Sequence, residues 1–582
     1  MAIVLALGFV AIPNGLASAA GGTGTLVVRG DGIASGDPEN PNNVYALQMF
    51  SAEVNGDSIS YKLNEQFEAF FQSEVSGCSG KDGVALSEAA YSYVSALGAS
   101  DSAVVTGFAK KAADYVVENW SNFSAALKTA TVQAGSNGQQ DTATFSDLEF
   151  GYYLVLPFGS SSTTRGTYAI LDSVLSSDSA TEINLKSEYP TVDKTIIENP
   201  TENEGNLGIA VDGTWDNVHQ MEIESLDAVP QNVSIDETSG GKGSSAAVGD
   251  TVTFEITSAV PDMSQYDEYT FIVTDTLSKG LSLLNSVDDP NIVVTVDGKK
   301  LVEGDNKYSF HPSAISHEDG TTTLTVDLSD FLTRNKDSFT AGDKIVIRYQ
   351  AKVNEDAVIA TDPNTNSAKV EYSNDPNKET TGTSTSTETH TYTFGFTINK
   401  ENEQQQALAN AQFKIYKDDG DNAFDGTKDD ALTFAQKATS DNIVHYMLDD
   451  NQEAEATVIT TDAINDFMVC GLGEGTYWVE EVAAPTDYNK LSGPIKVTIS
   501  AEFNTDGTLK THTITAYNPD GSEIENLTHP SHIITVVNKQ GAELPSTGGM
   551  GTAIFTVVGV AVVVGGVAWI LFRRRSNNAH TK

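Results

Sequence analysis

Between residues 187 and 376 apolar and polar residues alternate in short runs separated by Gly-Asp turns, and AVGDTVTFEIT at 247 and AGDKIVIRYQA at 341 share one plan. In an extended chain, alternation with period two sends successive side chains to opposite faces. Each such run buries only one face, and it must do so against another sheet, which makes this region an all-β sandwich. A stretch rich in Thr, Ser and Glu at 377–390 reads as a linker, and a third strand-rich unit follows at 391–540. Residues 20–186 are mixed. They hold strand-like TLVV and VYALQMF, helix-like stretches at 84–97 and 102–120, and strands around 143–157. In the second helix Val104, Val105, Phe108, Ala112, Tyr115, Val116 and Trp120 recur at helical spacing, a core-packing pattern.

The 582 residues are enough for three or four domains, each with its own core. With 80 Asp and Glu against 34 Lys and Arg, the net charge is −46. Phosphate binding needs clustered cations, so this balance excludes nucleic acid as a partner and disfavours anionic lipid. Cys78 and Cys470 lie far apart in sequence and read as two buried free thiols rather than a disulfide. There is no nucleophile elbow, no HExxH and no paired His and Cys, so no hydrolase is expected, and no cofactor or metal.

Both ends carry addresses. Residues 1–19 are short and apolar and end in Ala17, Ser18 and Ala19, a signal-peptide pattern. Residues 552–572 hold no charge, enough helix to cross a bilayer core of about 30 Å, and Arg573, Arg574 and Arg575 follow, placing the tail inside and the rest of the chain outside. Directly before the span stand Leu544, Pro545, Ser546, Thr547 and Gly548. This order of pentapeptide, span and basic tail resembles the sorting signal of Gram-positive surface proteins. The resemblance implies cleavage by a sortase between Thr547 and Gly548, a span that is temporary, and attachment to peptidoglycan.

Strand parity also singles out polar groups on apolar faces. In TYTFGFTINK, Lys400 ends the row of Tyr392, Phe394, Phe396 and Ile398. In HIITVVN, Asn538 lines up with Ile534 and Val536, and in TYWVEE, Glu481 lines up with Tyr477 and Val479. The second region repeats the trio: Lys194 with Val192 and Ile196, Asp275 with Phe271 and Val273, Asn366 with Ala368 and Val370. Burying such groups unpaired costs several kcal/mol each. They either form a satisfied ion pair near an Asn or react, and periodicity alone leaves both open. Desolvation favours a neutral amine and a protonated acid, a combination able to attack an Asn amide, release ammonia and leave an isopeptide bond.

The stretch YWVEEVAAPTDY at 477–488 resembles the E box of Gram-positive pilins, with Val482 and Asp487 where the family usually has Thr and Gly. ALANAQFKIYK and VVNKQGAELPSTGG resemble the SpaA-type prealbumin-like (CnaB-like) pilin domain, and TDTLSKGL and YSNDPN the isopeptide-forming middle domain of fimbrial major subunits. The resemblance implies a mainly β chain of tandem Ig-like (CnaA-like and CnaB-like) sandwiches, with a mixed N-terminal pilin domain at 20–186, a middle domain at 187–376 and a SpaA-like domain at 391–540, ahead of the sorting signal and transmembrane helix at 541–582. It implies bonds from Lys194 to Asn366 and from Lys400 to Asn538, with Asp275 and Glu481 as catalytic acids. Each bond would close a loop of more than a hundred residues, worth roughly 4 to 5 kcal/mol by the chain-entropy estimate. The function implied is that of a structural backbone subunit of a covalent pilus supporting adhesion. Its partners would be pilus-specific and housekeeping sortases, identical subunits, peptidoglycan and a host ligand. A wall-anchored adhesin or a minor pilin is the alternative.

A backbone subunit also needs an exposed lysine to accept the next subunit. The family's motif ends in Tyr-Pro-Lys, whereas in INLKSEYPTVDK Tyr189 and Pro190 precede Thr191. Lys186 lies opposite Ile183 and Leu185 and is assigned to polymerisation; Lys194 faces the core. The Asp-rich stretch at 417–430 lacks EF-hand spacing and reads as a solvated hairpin loop.

Overall fold

The computed structural model describes residues 23–541 and 551–577, less the stretches 158–180, 185–188, 198–208, 216–232, 285–291, 304–308 and 451–456 and a few positions elsewhere. The expected signal peptide and the LPSTG pentapeptide lie outside the described residues. The chain divides into two compact units, one of Met1–Thr393 with Ala501–Thr511 and one of Phe394–Ser500 with His512–Lys582. The regions separated at 186/187 in sequence thus share a unit, although their sheets are distinct.

The first region is a seven-stranded sheet with its helices inserted between the strands Ser58–Leu63 and Lys128–Gln133. Gly83–Ser95 buries Leu86, Ala90 and Val94 at spacings of four, and Ala103–Glu118 turns Val105, Phe108, Ala112 and Val116 inward. They pack on a cluster that includes Phe50, Phe67, Phe70, Phe71 and Phe123. Val104, expected on the apolar stripe, is exposed, while its neighbour Val105 is buried.

The middle region stacks an eight-stranded sheet on a six-stranded one. The two Gly-Asp turns are built alike: Gly249 and Gly342 both take φ of 95°, a left-handed conformation suited to glycine. In each, the Asp carboxylate accepts a backbone N–H three residues back, Ala247 to Asp250 at 2.8 Å and Thr340 to Asp343 at 2.7 Å. The strands that leave these turns, Thr251–Ala259 and Lys344–Val353, pair antiparallel along their length.

The expected linker at 377–390 is corrected. Thr381–Thr383 and Thr387–Tyr392 are strands, both pairing with Asn364–Ser373. β-Branched Thr suits a half-buried pleat, and Thr389 and Thr391 are buried within it.

The second unit opposes a five-stranded and a six-stranded sheet, with Phe394–Asn402 and Ile533–Asn538 side by side and parallel in the first. Gly551–Asn577 is helical. Its side chains are described over 559–571 and at 573, and among the described residues no helix is long and apolar enough to cross a membrane. The span at 552–572 therefore remains an expectation from sequence.

Candidate functional site

The six polar residues found on apolar rows are all buried, and they gather into two clusters. In the middle region Lys194 stands on Asp193–Ile197, the edge strand of the six-stranded sheet. Asp275 and Asn366 stand on neighbouring strands of the facing sheet, Phe271–Leu277 and Asn364–Ser373. Lys194 Nζ donates to Asp275 Oδ2 at 2.5 Å and lies 4.9 Å from the centre of the Phe254 ring. Burial pulls the Lys194 ammonium below its ordinary value, opposed by the Asp275 charge.

Tyr349, which parity did not single out, sits at the centre of this cluster. Its hydroxyl accepts from Lys194 Nζ at 3.0 Å and from Asn366 Nδ2 at 2.5 Å, and donates to Asp275 Oδ2 at 2.5 Å. The signal was present in KIVIRYQAKV, where Ile345, Ile347, Tyr349 and Ala351 share the buried row and only the tyrosine carries a polar tip. Asp275 Oδ1 and Asn366 Oδ1 have no hydrogen-bond partner.

In the second unit the roles fall on different strands. Lys400 and Asn538 are on the paired parallel strands of one sheet, with Lys400 opposite Val536 and Asn402 opposite Asn538. Glu481 reaches them from Gly475–Ala483 in the other sheet. Asn538 Nδ2 donates to Glu481 Oε2 at 3.0 Å, as does the Leu491 backbone N–H at 2.8 Å. Lys400 Nζ donates to Val536 O at 3.0 Å and stands 3.9 Å from Glu481 Oε1. Burial brings the Lys400 ammonium down to about 8, opposed by Glu481 and Glu401. Here too one carboxyl oxygen, Glu481 Oε1, and the amide oxygen, Asn538 Oδ1, have no hydrogen-bond partner. Glu480 faces outward to Tyr416 and Lys490.

Lys186 lies outside the described residues, as do Leu544, Pro545, Ser546, Thr547 and Gly548. Cys78 and Cys470 are free and buried, and burial pushes the Cys470 thiol up to about 12. In the Asp-rich stretch, Asp418 caps the N–H groups of Gly420 and Asn422 and holds Trp478 Nε1, while Asp419 caps Asp421 and Asp421 caps Ala423. Each of these carboxylates caps backbone N–H groups of its own turn.

Three family models match the chain: a Gram-positive pilin backbone subunit 2, Cna-B-like domain at residues 248–376, a SpaA prealbumin-like fold domain at 394–513, and an LPXTG cell wall anchor motif at 536–578. Similar solved structures include the T6 backbone pilin of serotype M6 Streptococcus pyogenes, 14% identical over 90% of this chain and 100% of that one, with a TM-score of 0.40. Others are the major pilin SpaD from Corynebacterium diphtheriae, 14% identical over 89% and 98%, TM-score 0.36, and the major pilin subunit BcpA of Bacillus cereus, 14% identical over 89% and 99%, TM-score 0.32. No curated protein matches the chain. The chain is a cell-wall-anchored surface protein of tandem β domains. It carries a Gram-positive pilin backbone Cna-B-like domain and a SpaA prealbumin-like domain ahead of an LPXTG anchor motif.

Proposed function

We propose that this chain is the backbone subunit of a sortase-assembled pilus and that its two buried clusters close autocatalytic isopeptide bonds, Lys194 to Asn366 and Lys400 to Asn538. The observation that carries the reading is the recurrence of one trio, lysine, carboxyl and asparagine, buried in two sandwiches that place it on different strands.

In each cluster the neutral lysine amine attacks the Asn Cγ, and the carboxylic acid of Asp275 or Glu481 donates to the amide oxygen as negative charge develops there. The Cγ–Nδ2 bond then breaks, a proton from Nζ passes to the departing nitrogen, and ammonia leaves. The unpartnered atoms support a protonated acid. As a carboxylate, each acid leaves one of its own oxygens and the amide oxygen as two buried acceptors without a hydrogen bond, a penalty of about 1–3 kcal/mol apiece; a carboxylic proton adds a donor to a pocket short of them.

Polymerisation follows from the anchor. A sortase opens the Thr547–Gly548 peptide, and the Thr547 carbonyl passes to Lys186 of another subunit or, at the base, to a peptidoglycan amine. The chemistry is self-directed and calls for no cofactor. Thr191, standing where the family motif has lysine, favours the second reading, a wall-anchored adhesin or minor pilin that is not polymerised. An immunoblot of muramidase-released wall boiled in detergent separates the two. A high-mass ladder that collapses in Lys186→Ala supports the backbone and its acceptor, a ladder that survives moves the acceptor elsewhere, and a single band in the parent gives the adhesin.

A further inference from the structure

We propose that Tyr349 is a catalytic residue of the middle cross-link, a hydroxyl that carries the proton from the attacking amine of Lys194 to the departing nitrogen of Asn366. The inference rests on the reading of Lys194 and Asn366 as a bonding pair.

Its basis is connectivity. A phenolic hydroxyl has one proton to donate and two lone pairs, and here all three positions are used: Lys194 Nζ and Asn366 Nδ2 donate to it, and it donates to Asp275 Oδ2. Both nitrogens that must exchange a proton therefore touch the same oxygen. The ring is held in place by the stack on Phe254, 5.5 Å between centroids, and is fully buried, so no solvent water stands in for the hydroxyl. Burial beside Asp275 also pushes the Tyr349 hydroxyl well above its ordinary value, which suits a group that accepts one proton as it gives up another and is never a free phenolate.

The second unit shows what the hydroxyl replaces. There Glu481 Oε2 touches Asn538 Nδ2 directly, at 3.0 Å, and one carboxyl serves amine and amide alike. Asp275 is shorter by one methylene, and its Oδ2 is linked to the amide nitrogen through Tyr349. Aspartate plus tyrosine hydroxyl does in one cluster what glutamate does alone in the other.

The step balances. Lys194 Nζ forms a bond to Asn366 Cγ and loses a proton to the Tyr349 oxygen; Tyr349 gives its own proton to Nδ2; the Cγ–Nδ2 bond breaks and ammonia departs. Neutral Tyr349 and protonated Asp275 are regenerated.

The test is a time course on the full chain made by cell-free synthesis, quenched in acid and denaturant and digested, with the Lys194–Asn366 and Lys400–Asn538 linked peptides followed by mass spectrometry. Tyr349→Phe keeps the ring and removes the hydroxyl. The expected result is that the first peptide forms about a hundredfold more slowly while the second keeps the parent rate. The residual rate should also rise more steeply with pH than in the parent, because hydroxide then has to take the amine proton. Phe254→Leu disturbs the same packing but keeps the hydroxyl, and is expected to slow the first peptide less and to leave the parent pH slope. Formation at the parent rate in Tyr349→Phe, or equal slowing by both variants with the parent pH slope, would overturn the role of Tyr349 while leaving the cross-link intact. Absence of the first peptide from the parent itself would overturn the cross-link and Tyr349 with it.

Discussion

The two clusters use the same three functional groups in different mechanical layouts. In the middle region the lysine comes from one sheet and the acid and asparagine from the other, so a bond from Lys194 to Asn366 would staple the two sheets of the sandwich. In the second unit Lys400 and Asn538 sit on adjacent parallel strands of one sheet, at opposite ends of the unit's sequence, and only the acid comes from across the core. A bond there would tie the first strand to the last, so that a pull on the chain ends bypasses the interior of the unit. The acid's reach differs accordingly: glutamate touches the amide nitrogen itself, whereas aspartate is linked to it through Tyr349. The common requirement is a dry pocket with a short path for the proton, and the strand placement is free to vary.

Removing either acid gives the largest effect. Asp275→Ala should abolish only the middle bond and Glu481→Ala only the bond in the second unit, each variant regaining about 17 Da of retained ammonia. Thermal unfolding should register the loss of roughly 4 to 5 kcal/mol of loop constraint in the affected region. Shortening the acid comes next. Glu481→Asp pulls the carboxyl back by one methylene from Asn538 Nδ2, and its linked peptide should form about a hundredfold more slowly, a value near the parent's being the outcome that breaks the comparison.

A smaller effect, a pH dependence, is read in the second unit. Asn538→Ala keeps the amine and acid but removes the acceptor. The folded Lys400 value, about 8, lies below the ordinary 10.5. The charged amine therefore weighs against folding below pH 8, and this penalty fades as pH rises from 8 to about 10.5. Denaturant titration should show the variant gaining stability across that window, by at most roughly 3 kcal/mol. The smallest effect is expected from Glu480→Gln, which alters only outward contacts to Tyr416 and Lys490. Stability should change by less than about 0.5 kcal/mol and the Lys400–Asn538 peptide should form at the parent rate. Slowing by this substitution would move the acid from Glu481 to its neighbour.

Much of this is legible in the sequence itself, because period two encodes the face of a strand directly. Lys194, Asp275, Asn366, Lys400, Glu481 and Asn538 stand out as polar members of apolar rows, and all six are buried. What parity cannot encode is which rows face one another, so the cross-sheet layout of one cluster and the same-sheet layout of the other had to come from strand pairing. Tyr349 went unnoticed because a tyrosine in a buried row looks like core, its hydroxyl becoming informative only once three polar partners surround it. Composition misled at 377–390, where Thr and Ser suggest a linker but β-branched residues add strands to an existing sheet. Lys186 and the LPSTG pentapeptide, which carry the polymerisation proposal, lie outside the described residues and rest on motif and parity alone.

The most direct test of the central claim is the intact mass of the purified full-length chain, set against the mass calculated for its observed termini. Two closed clusters predict a deficit of about 34 Da, two molecules of ammonia, that persists under reduction and denaturation. A mass equal to the calculated value would mean that both trios are ordinary buried ion pairs, and the account of a covalently stapled pilus subunit would be contradicted.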